Sequence, residues 1–231
     1  MPNLAIIPAR GGSKRIPRKN IKDFHGRPII SYSIEIAISS CLFDEVMVST
    51  DDMEIAELSK GFGAKVPFLR SEKTADDFAT TMDVLNEVYE KYKSDIGKSY
   101  DNICCIYPTA PLIQIQHLKV GLESLLIKNF DTFFPVVEFT YPIWRGLSID
   151  ESGKSKMVWP EYLNMRSQDL NKVYHDAGQW YWYKPENVKE SLFTENSGSL
   201  ILSEMEVQDI DDETDWKVAE LKYKLLIDAR I

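Results

Sequence analysis

The sequence predicts an α/β protein, a mainly parallel (mixed) sheet flanked by helices. Two observations carry this. Short aliphatic runs closed by turn residues recur along the chain, and between them lie stretches whose apolar residues return every three or four positions. Strands alternating with helices make βαβ units, which set neighbouring strands parallel. A third observation places a ligand site. The first aliphatic run stops at Pro8 and opens into a glycine-rich loop, and open α/β sheets bind ligands at the carboxyl ends of their strands.

Taken in order, residues 4–8 form a continuous aliphatic run and predict a buried strand. Residues 29–40 place Ile30, Ile34, Ala37 and Ile38 on one helical face. "EVMVS" at 45–49 predicts a second strand. Thr50 and Asp51 are candidate caps of the next helix, Asp51 and Glu54 have capping-box spacing, and Gly61 or Gly63 marks its end. "KVPFL" at 65–69 predicts a third strand, 77–93 a long amphipathic helix, and "NICCIY" at 102–107 a fourth strand. A helix over 114–128 and a strand over 132–139 follow. From about 141 to 185 the rhythm breaks. This stretch is rich in Trp, Tyr and Pro, and it predicts an insertion with strands of its own, among them "GQWYWYK" at 178–184. Alternation returns with an extended segment over 200–210 and a closing helix over 212–227.

The 231 residues suit a single domain, 1–231, interrupted by that insertion. An apolar fraction of 44% supports a buried core. No apolar run approaches the ~18 residues that span a bilayer, and no charged segment precedes the short apolar run at the N-terminus, as a signal peptide would require. Cys41, Cys104 and Cys105 have no metal-ligand spacing and are expected to be reduced thiols of a cytoplasmic protein. A net charge of −9 argues against nucleic acid or an anionic membrane as partner, though not against a small anion bound locally.

The charge is not spread evenly. Arg10, Lys14, Arg15, Arg18, Lys19, Lys22 and Arg27 lie close together, with only Asp23 among them. Glycine lets backbone N–H groups approach an anion, and cations neutralise it. The stretch "ARGGSKRIPRKN" fits neither phosphate-loop nor dinucleotide-fingerprint spacing. It is open to two readings, a solvated basic loop or a polyphosphate cradle. Clustering one sign in an acidic chain favours the cradle. Near the other end of the chain, Asp209 and Asp211 stand two apart in an extended segment, so their carboxylates share a face. Such a pair suits Mg²⁺ held with phosphate oxygens. Acids beside a helix N-terminus are the alternative, and the residues leave both open.

The stretch "IPARGGSKRIPRKN" at 7–20 closely resembles the signature of the acylneuraminate cytidylyltransferases, or CMP-sialic acid synthetases. Related motifs follow in order: "VSTDD", "RSEKTADDFATT", "YPTAPL", "RSQDL" and "DID". The resemblance covers nearly the whole chain. It implies a Rossmann-like sheet of nucleotidyltransferase type with an inserted dimerisation segment, a homodimer, Mg²⁺ as cofactor, and transfer of CMP from CTP to a nine-carbon keto sugar acid. By the same resemblance, Arg10 and Lys19 contact the triphosphate and Asn20 lies near the reacting phosphate. Ala9, Gly11, Gly12 and Ser13 complete the nucleotide loop, Arg70 and Thr81 read cytosine, and Asp209 with Asp211 forms the Mg²⁺ site. Arg145, Arg166, Gln168 and Tyr174 match the sugar side, joined by Tyr107 and Gln179.

Where sialic acid synthetases have Q-P-T-S-P-L-R and N-G-A-I-Y, this chain has "YPTAPLI" and "AGQWYWY". Tyr107, Ile113 and Gln179–Trp182 are therefore expected to face a different sugar, and the pattern resembles the pseudaminic acid cytidylyltransferase branch. A more apolar lining suits a sugar that has lost a hydroxyl and gained a methyl and a second acetamido group. His175, between Tyr174 and Asp176, is read as structural, so no general base is assigned. Three rivals remain: a cytidylyltransferase for legionaminic, N-acetylneuraminic or octulosonic acid, a glycosyltransferase using D-x-D, and a non-catalytic nucleotide-binding domain.

Overall fold

A computed structural model describes residues 1–76 and 78–228. The elements are β1 (Asn3–Pro8), the short hairpin β2 (Asp23–Phe24) and β3 (Arg27–Pro28), α1 (Ile30–Ser39), β4 (Glu45–Ser49), α2 (Met53–Gly61), α3 (Glu72–Ala75), α4 (Thr81–Lys91), β5 (Asn102–Ile106), α5 (Ile115–Ile127), β6 (Thr132–Glu138), a second hairpin β7 (Leu147–Ile149) and β8 (Ser155–Met157), then β9 (Tyr174–Asp176), β10 (Trp180–Tyr183), β11 (Ser197–Leu202) and α6 (Glu213–Asp228). The main sheet has seven strands in the order β11-β6-β10-β5-β1-β4, with β9 also paired to β6. β1 runs parallel to β4 and β5, and β11 parallel to β6, while β9 and β10 are antiparallel to their neighbours. The expected mixed α/β sheet is present.

Two helical layers cover it. On one face Ile30, Ile34, Leu118, Leu122 and Leu125 pack on Ala5, Ile7, Val48 and Cys104. On the other, Met82, Leu85, Val88 and Tyr89 pack on Leu4, Ile6, Ile103 and Cys105. Adjacent strand residues point to opposite faces, so Cys104 and Cys105 are both buried, one in each core.

The central strand departs from expectation. The aromatic run at 178–184, expected to belong to an insertion, is β10, inserted between β5 and β6 in the main sheet. Trp180 and Trp182 enter one core and Tyr181 and Tyr183 the other, all four nearly inaccessible. A strand covered on both faces reads as a continuous apolar run, which is why its composition looked foreign to an alternating pattern. The excursion from the sheet is correspondingly shorter, lying between β6 and β9 and containing the β7–β8 hairpin.

Other differences are local. Residues 65–69 contribute one parallel bridge, Lys65 to Met47, because Pro67 has no N–H with which to extend a ladder. The helix expected from 77 starts at Thr81, where Thr80 and Asp83 form a reciprocal capping box. It ends in a π-helical turn, Tyr92–Ile96, and Asp77 lies outside the described residues. The cap of α2 is Asp52, accepting from the Ile55 N–H, which leaves Asp51 for another role. The extended segment expected over 200–210 gives β11 only to Leu202, then a 3₁₀ turn, Glu204–Glu206. Among the described residues no helix is long and apolar enough to cross a membrane.

α5 lies close against β10 because Gly121 has no side chain. A Cβ there would sit 2.6 Å from the Trp180 ring and 2.8 Å from that of Trp182, while the Trp182 indole donates to the Leu118 carbonyl at 3.0 Å. Overpacking of this kind costs about 1–3 kcal/mol. Gly121→Ala should therefore lower the thermal midpoint by about 2–12 °C. An unchanged midpoint in calorimetry would mean that α5 can move away freely.

Candidate active site

The carboxyl end of β1 is where the site begins. Its last strand bond leads to Ala9, whose N–H donates to the Ser49 carbonyl at the end of β4 at 2.9 Å. The chain then turns through Gly11 and Gly12. The Gly11 N–H donates to the Asp51 carboxylate at 2.9 Å, and a Cβ on Gly11 would stand 2.8 Å from the Asp52 carboxylate oxygen. Glycine is required here by a close approach. Arg18, in the left-handed region at φ 54°, turns its guanidinium onto Asp52 and Glu54, and holds the Asp52 carboxyl at about 2. Asn20, almost fully buried, donates to the Arg10 carbonyl at 2.9 Å. The loop is thus shaped by α2 and by its own Asn20.

The cations divide into two groups. Arg18, Lys22 and Arg27 are paired with carboxylates, Lys22 with Glu213 and Arg27 with Glu35. Arg10, Lys14, Arg15 and Lys19 line an open cleft of about 670 Å³ together with Ser13, Asn20, Arg70, Thr80, Thr81, Tyr107, Pro108, Thr109, Asp209 and Asp211. Four of the seven cations of the basic loop thus line one cleft.

The far wall of the cleft comes from near the other end of the chain. Lys19 donates to the Ile210 carbonyl at 2.7 Å, and Arg15 pairs with Asp211 at 2.7 Å. Ile210 is fully buried beside Ile16, Phe24 and Trp216, which fixes the two flanking aspartates. Burial pushes the Lys19 ammonium below its ordinary value, against the pull of Asp211 and Asp209. Burial, then the charge of Asp211, pushes the Asp209 carboxyl up, against Lys19. Anions held this close, with one made costly by burial, favour an added cation.

Two carboxylates are hard oxygen donors, and the donor set fits a divalent cation of that kind. Among the described residues no three His, Cys, Asp or Glu side chains converge on one point, so such a cation would complete its shell from substrate oxygens and water.

Arg70 reaches back to Ser49, donating to its carbonyl at 2.7 Å and its hydroxyl at 3.2 Å. Burial lowers its affinity for the proton, though a guanidinium remains charged. The Thr81 hydroxyl and the Tyr107 phenol lie 3.2 Å apart, and burial pushes that phenol up to about 12, so it stays neutral.

Several expected site residues lie elsewhere. Arg145, Arg166 and Gln168 sit on the excursion between β6 and β9, where Arg145 donates to the Ser167 hydroxyl at 3.2 Å. Tyr174 packs against the second core. Gln179 is buried just before β10 and does not line the cleft. Ile113, Trp180 and Trp182 are core residues. Of the departures expected to face the sugar, Tyr107 alone lines the cleft. Sequence reasoning missed Lys14, Arg15, Thr80, Pro108 and Thr109 as lining residues, although the first two belong to the cationic cluster and the last two to "YPTAPL". It also missed Asp51, which looked like a helix cap.

A cationic cleft at strand carboxyl ends, faced by a carboxylate pair, is a place where an α/β sheet can take an anionic ligand, and the chain belongs to the cytidylyltransferase family of nucleotidyltransferases, whose model matches residues 4–214. The chain is 43% identical over 227 residues to the pseudaminic acid cytidylyltransferase of Campylobacter jejuni, covering 97% of each. It is 40% identical over 210 residues to a Helicobacter pylori protein named as a pseudaminic acid cytidylyltransferase joined to a hydrolase, of which the chain spans 40%. The solved CMP:2-keto-3-deoxy-manno-octonic acid synthetase in complex with CTP shares the fold, with a TM-score of 0.70 at 18% identity over the full length of both chains. Cytidylyltransferases generally use a divalent metal.

Because Gly11 alone lets the loop approach Asp52, Gly11→Ala should displace the cation-bearing turn. A misplacement on the order of 1 Å costs about 100-fold in rate. The expected result is kcat reduced by about that factor with the thermal midpoint within a few degrees of wild type. Full activity in the variant would show that the loop relaxes without cost.

Proposed function

We propose that this cytidylyltransferase transfers CMP from CTP to the anomeric hydroxyl of a nonulosonic acid, pseudaminic acid, with Mg²⁺, and releases pyrophosphate. The observation that supports it most is the meeting, in one cleft, of Arg10, Lys14, Arg15 and Lys19 with Asp209 and Asp211. The anomeric oxygen, its proton passing to water, forms a bond to the α-phosphorus in line with the oxygen bridging to the β-phosphate, and the bond from phosphorus to that bridging oxygen breaks, its electron pair leaving with pyrophosphate. Both reactants are anions, so neutralisation is the main task. Arg10 and Lys19 take the charge of the leaving phosphates, with the N–H groups around Gly12 and Ser13. Asn20 keeps the Arg10 backbone in place. Asp209 and Asp211 hold Mg²⁺, which neutralises phosphate charge when bound. Arg70 and Thr81 read cytosine.

Two considerations support pseudaminic acid. The Campylobacter relative bears that name, and Tyr107 places an aromatic ring in the cleft where the sialic acid pattern has a glutamine. A substrate hydroxyl left unpaired against an apolar surface costs about 1–3 kcal/mol, or roughly 10-fold to 100-fold in selectivity.

The enzyme works as a homodimer in the cytoplasm. On the 141–173 excursion Tyr141, Leu147, Ile149 and Leu163 are exposed, and Trp144 packs edge-on against Trp159 and beside Tyr162. Exposed apolar surface on this scale marks an interaction site. Arg145, Arg166 and Gln168 lie on the same segment, outside the cleft of their own chain, and meet the sugar acid in the assembled dimer.

Pyrophosphate release should be measured with CTP or UTP and a panel of sugar acids. CTP with pseudaminic acid is expected to exceed N-acetylneuraminic acid at least about tenfold in kcat/KM. Equal values for the two acids would remove the sugar assignment, and equal turnover of UTP would remove the cytosine assignment. Light scattering at micromolar concentration should give twice the 26.6 kDa chain mass. A monomer mass would overturn the dimer.

A further inference from the structure

Gln179 lies in a motif expected to face the sugar, yet it is only 2% exposed and its carboxamide is directed into the protein. Its Nε2 donates to the Glu206 carbonyl at 2.7 Å. Its backbone carbonyl accepts the Tyr107 N–H at 2.8 Å, joining the same residue to the cleft wall. Glu206 stands three residues before Asp209 and five before Asp211. Its side chain is gripped as well. Gln114, at the start of α5, donates to one carboxylate oxygen at 2.7 Å, with His117 3.6 Å from the same oxygen, and the Ser203 N–H donates to the other at 3.1 Å. One residue on, Lys222 of α6 donates to the Val207 carbonyl at 2.7 Å. The turn before β10 also lies against the acid loop, since a Cβ on Gly178 would stand 3.8 Å from Asp209.

We propose that Gln179 is a positioning residue of the acid loop and does not contact the sugar. It acts through the Glu206 backbone, with Gln114 gripping the Glu206 side chain, to set the spacing of Asp209 and Asp211. The inference rests on the reading that these two carboxylates hold a divalent cation. Residues that orient metal ligands typically matter about 10-fold to 100-fold in metal affinity or activity. The mechanism needs no direct contact. The acid loop carries both carboxylates on one short stretch of backbone, and the buried amide fixes where that stretch leaves the 3₁₀ turn.

The test variant is Gln179→Met, close in volume but unable to donate. Two measurements are made on the full chain: Mn²⁺ binding to the CTP-loaded enzyme without sugar acid, followed by the electron paramagnetic resonance signal of free Mn²⁺, and steady-state kinetics over Mg²⁺ and sugar acid. The expected result is Mn²⁺ binding and half-saturating Mg²⁺ both weakened about tenfold, with the KM for the sugar acid within about twofold of wild type. A raised sugar KM with an unchanged metal requirement would make Gln179 a sugar contact, and no change in either would make it a core residue only. Each of these overturns the proposal. Should Gln179→Met not fold, Gln114→Ala decides on the same measurements: it should weaken metal binding in the same direction, by a smaller factor, and an unchanged requirement again overturns the proposal. Asp211→Ala is the control. If it binds Mn²⁺ as tightly as wild type, the metal reading of the acid pair itself falls, a result distinct from any failure at Gln179.

Discussion

The bond from Lys19 to the Ile210 carbonyl joins residues 191 positions apart, and the site depends on it. It is not a surface ion pair of the kind that contributes little. The ammonium is partly withdrawn from water, which lowers its affinity for the proton, while Asp211 and Asp209 favour its charged form. Those carboxylates are in turn held in place by the burial of Ile210 between them. Cations without the acid loop would bind any polyphosphate. Carboxylates without the cations would repel it. The contact places both on one cleft, and the Arg15–Asp211 and Lys22–Glu213 pairs repeat the same closure on either side.

The basic loop must satisfy two demands that conflict. Cations gathered on one cleft repel one another, and a loop made only of them would be poorly ordered. The protein separates the tasks along one short segment. Arg18 accepts an unfavourable backbone conformation to reach Asp52 and Glu54, and Asp51 takes the Gly11 N–H. Beside the frame fixed by these pairs, Arg10, Lys14, Arg15 and Lys19 line the cleft, Arg15 in its pair with Asp211. A sequence shows seven equivalent cations; the division between frame and site comes from acids on three helices, Asp52 and Glu54 at α2, Glu213 of α6 and Glu35 of α1, which take Arg18, Lys22 and Arg27.

Much of the fold was legible because it rests on local rules. β1, α1, β4, β5, α5 and β6 fall within a few residues of the periodicities that announce them. The failures share a cause. Whether 65–69 forms a ladder depends on an N–H that Pro67 lacks, and whether 180–183 lies in the sheet depends on which strands leave a gap. At the site, the meeting of the basic loop with Asp209 and Asp211 on one cleft was legible because glycine, cation and aspartate patterns carry their chemistry with them. The sugar half was not. Ile113, Gln179, Trp180 and Trp182 differ from the sialic acid pattern at positions whose burial is set by α5 and the 3₁₀ turn after β11, and motif comparison carries no record of that.

The placement of β10 also bears on how the chain reaches this state. β5 and β6 follow each other as strands but are not neighbours; the slot between them is filled by residues 180–183, so Trp180 meets Ile106 across 74 positions. During synthesis, strands β1, β4 and β5 emerge early and can associate, yet β5 and β6 each keep an open, apolar edge until the aromatic run leaves the ribosome. Open edges of this kind pair readily with other chains. Closing so long a loop is slow. The nascent chain therefore carries the open edge of β5, and β6 without its sheet neighbours, until residues 174–202 have been made.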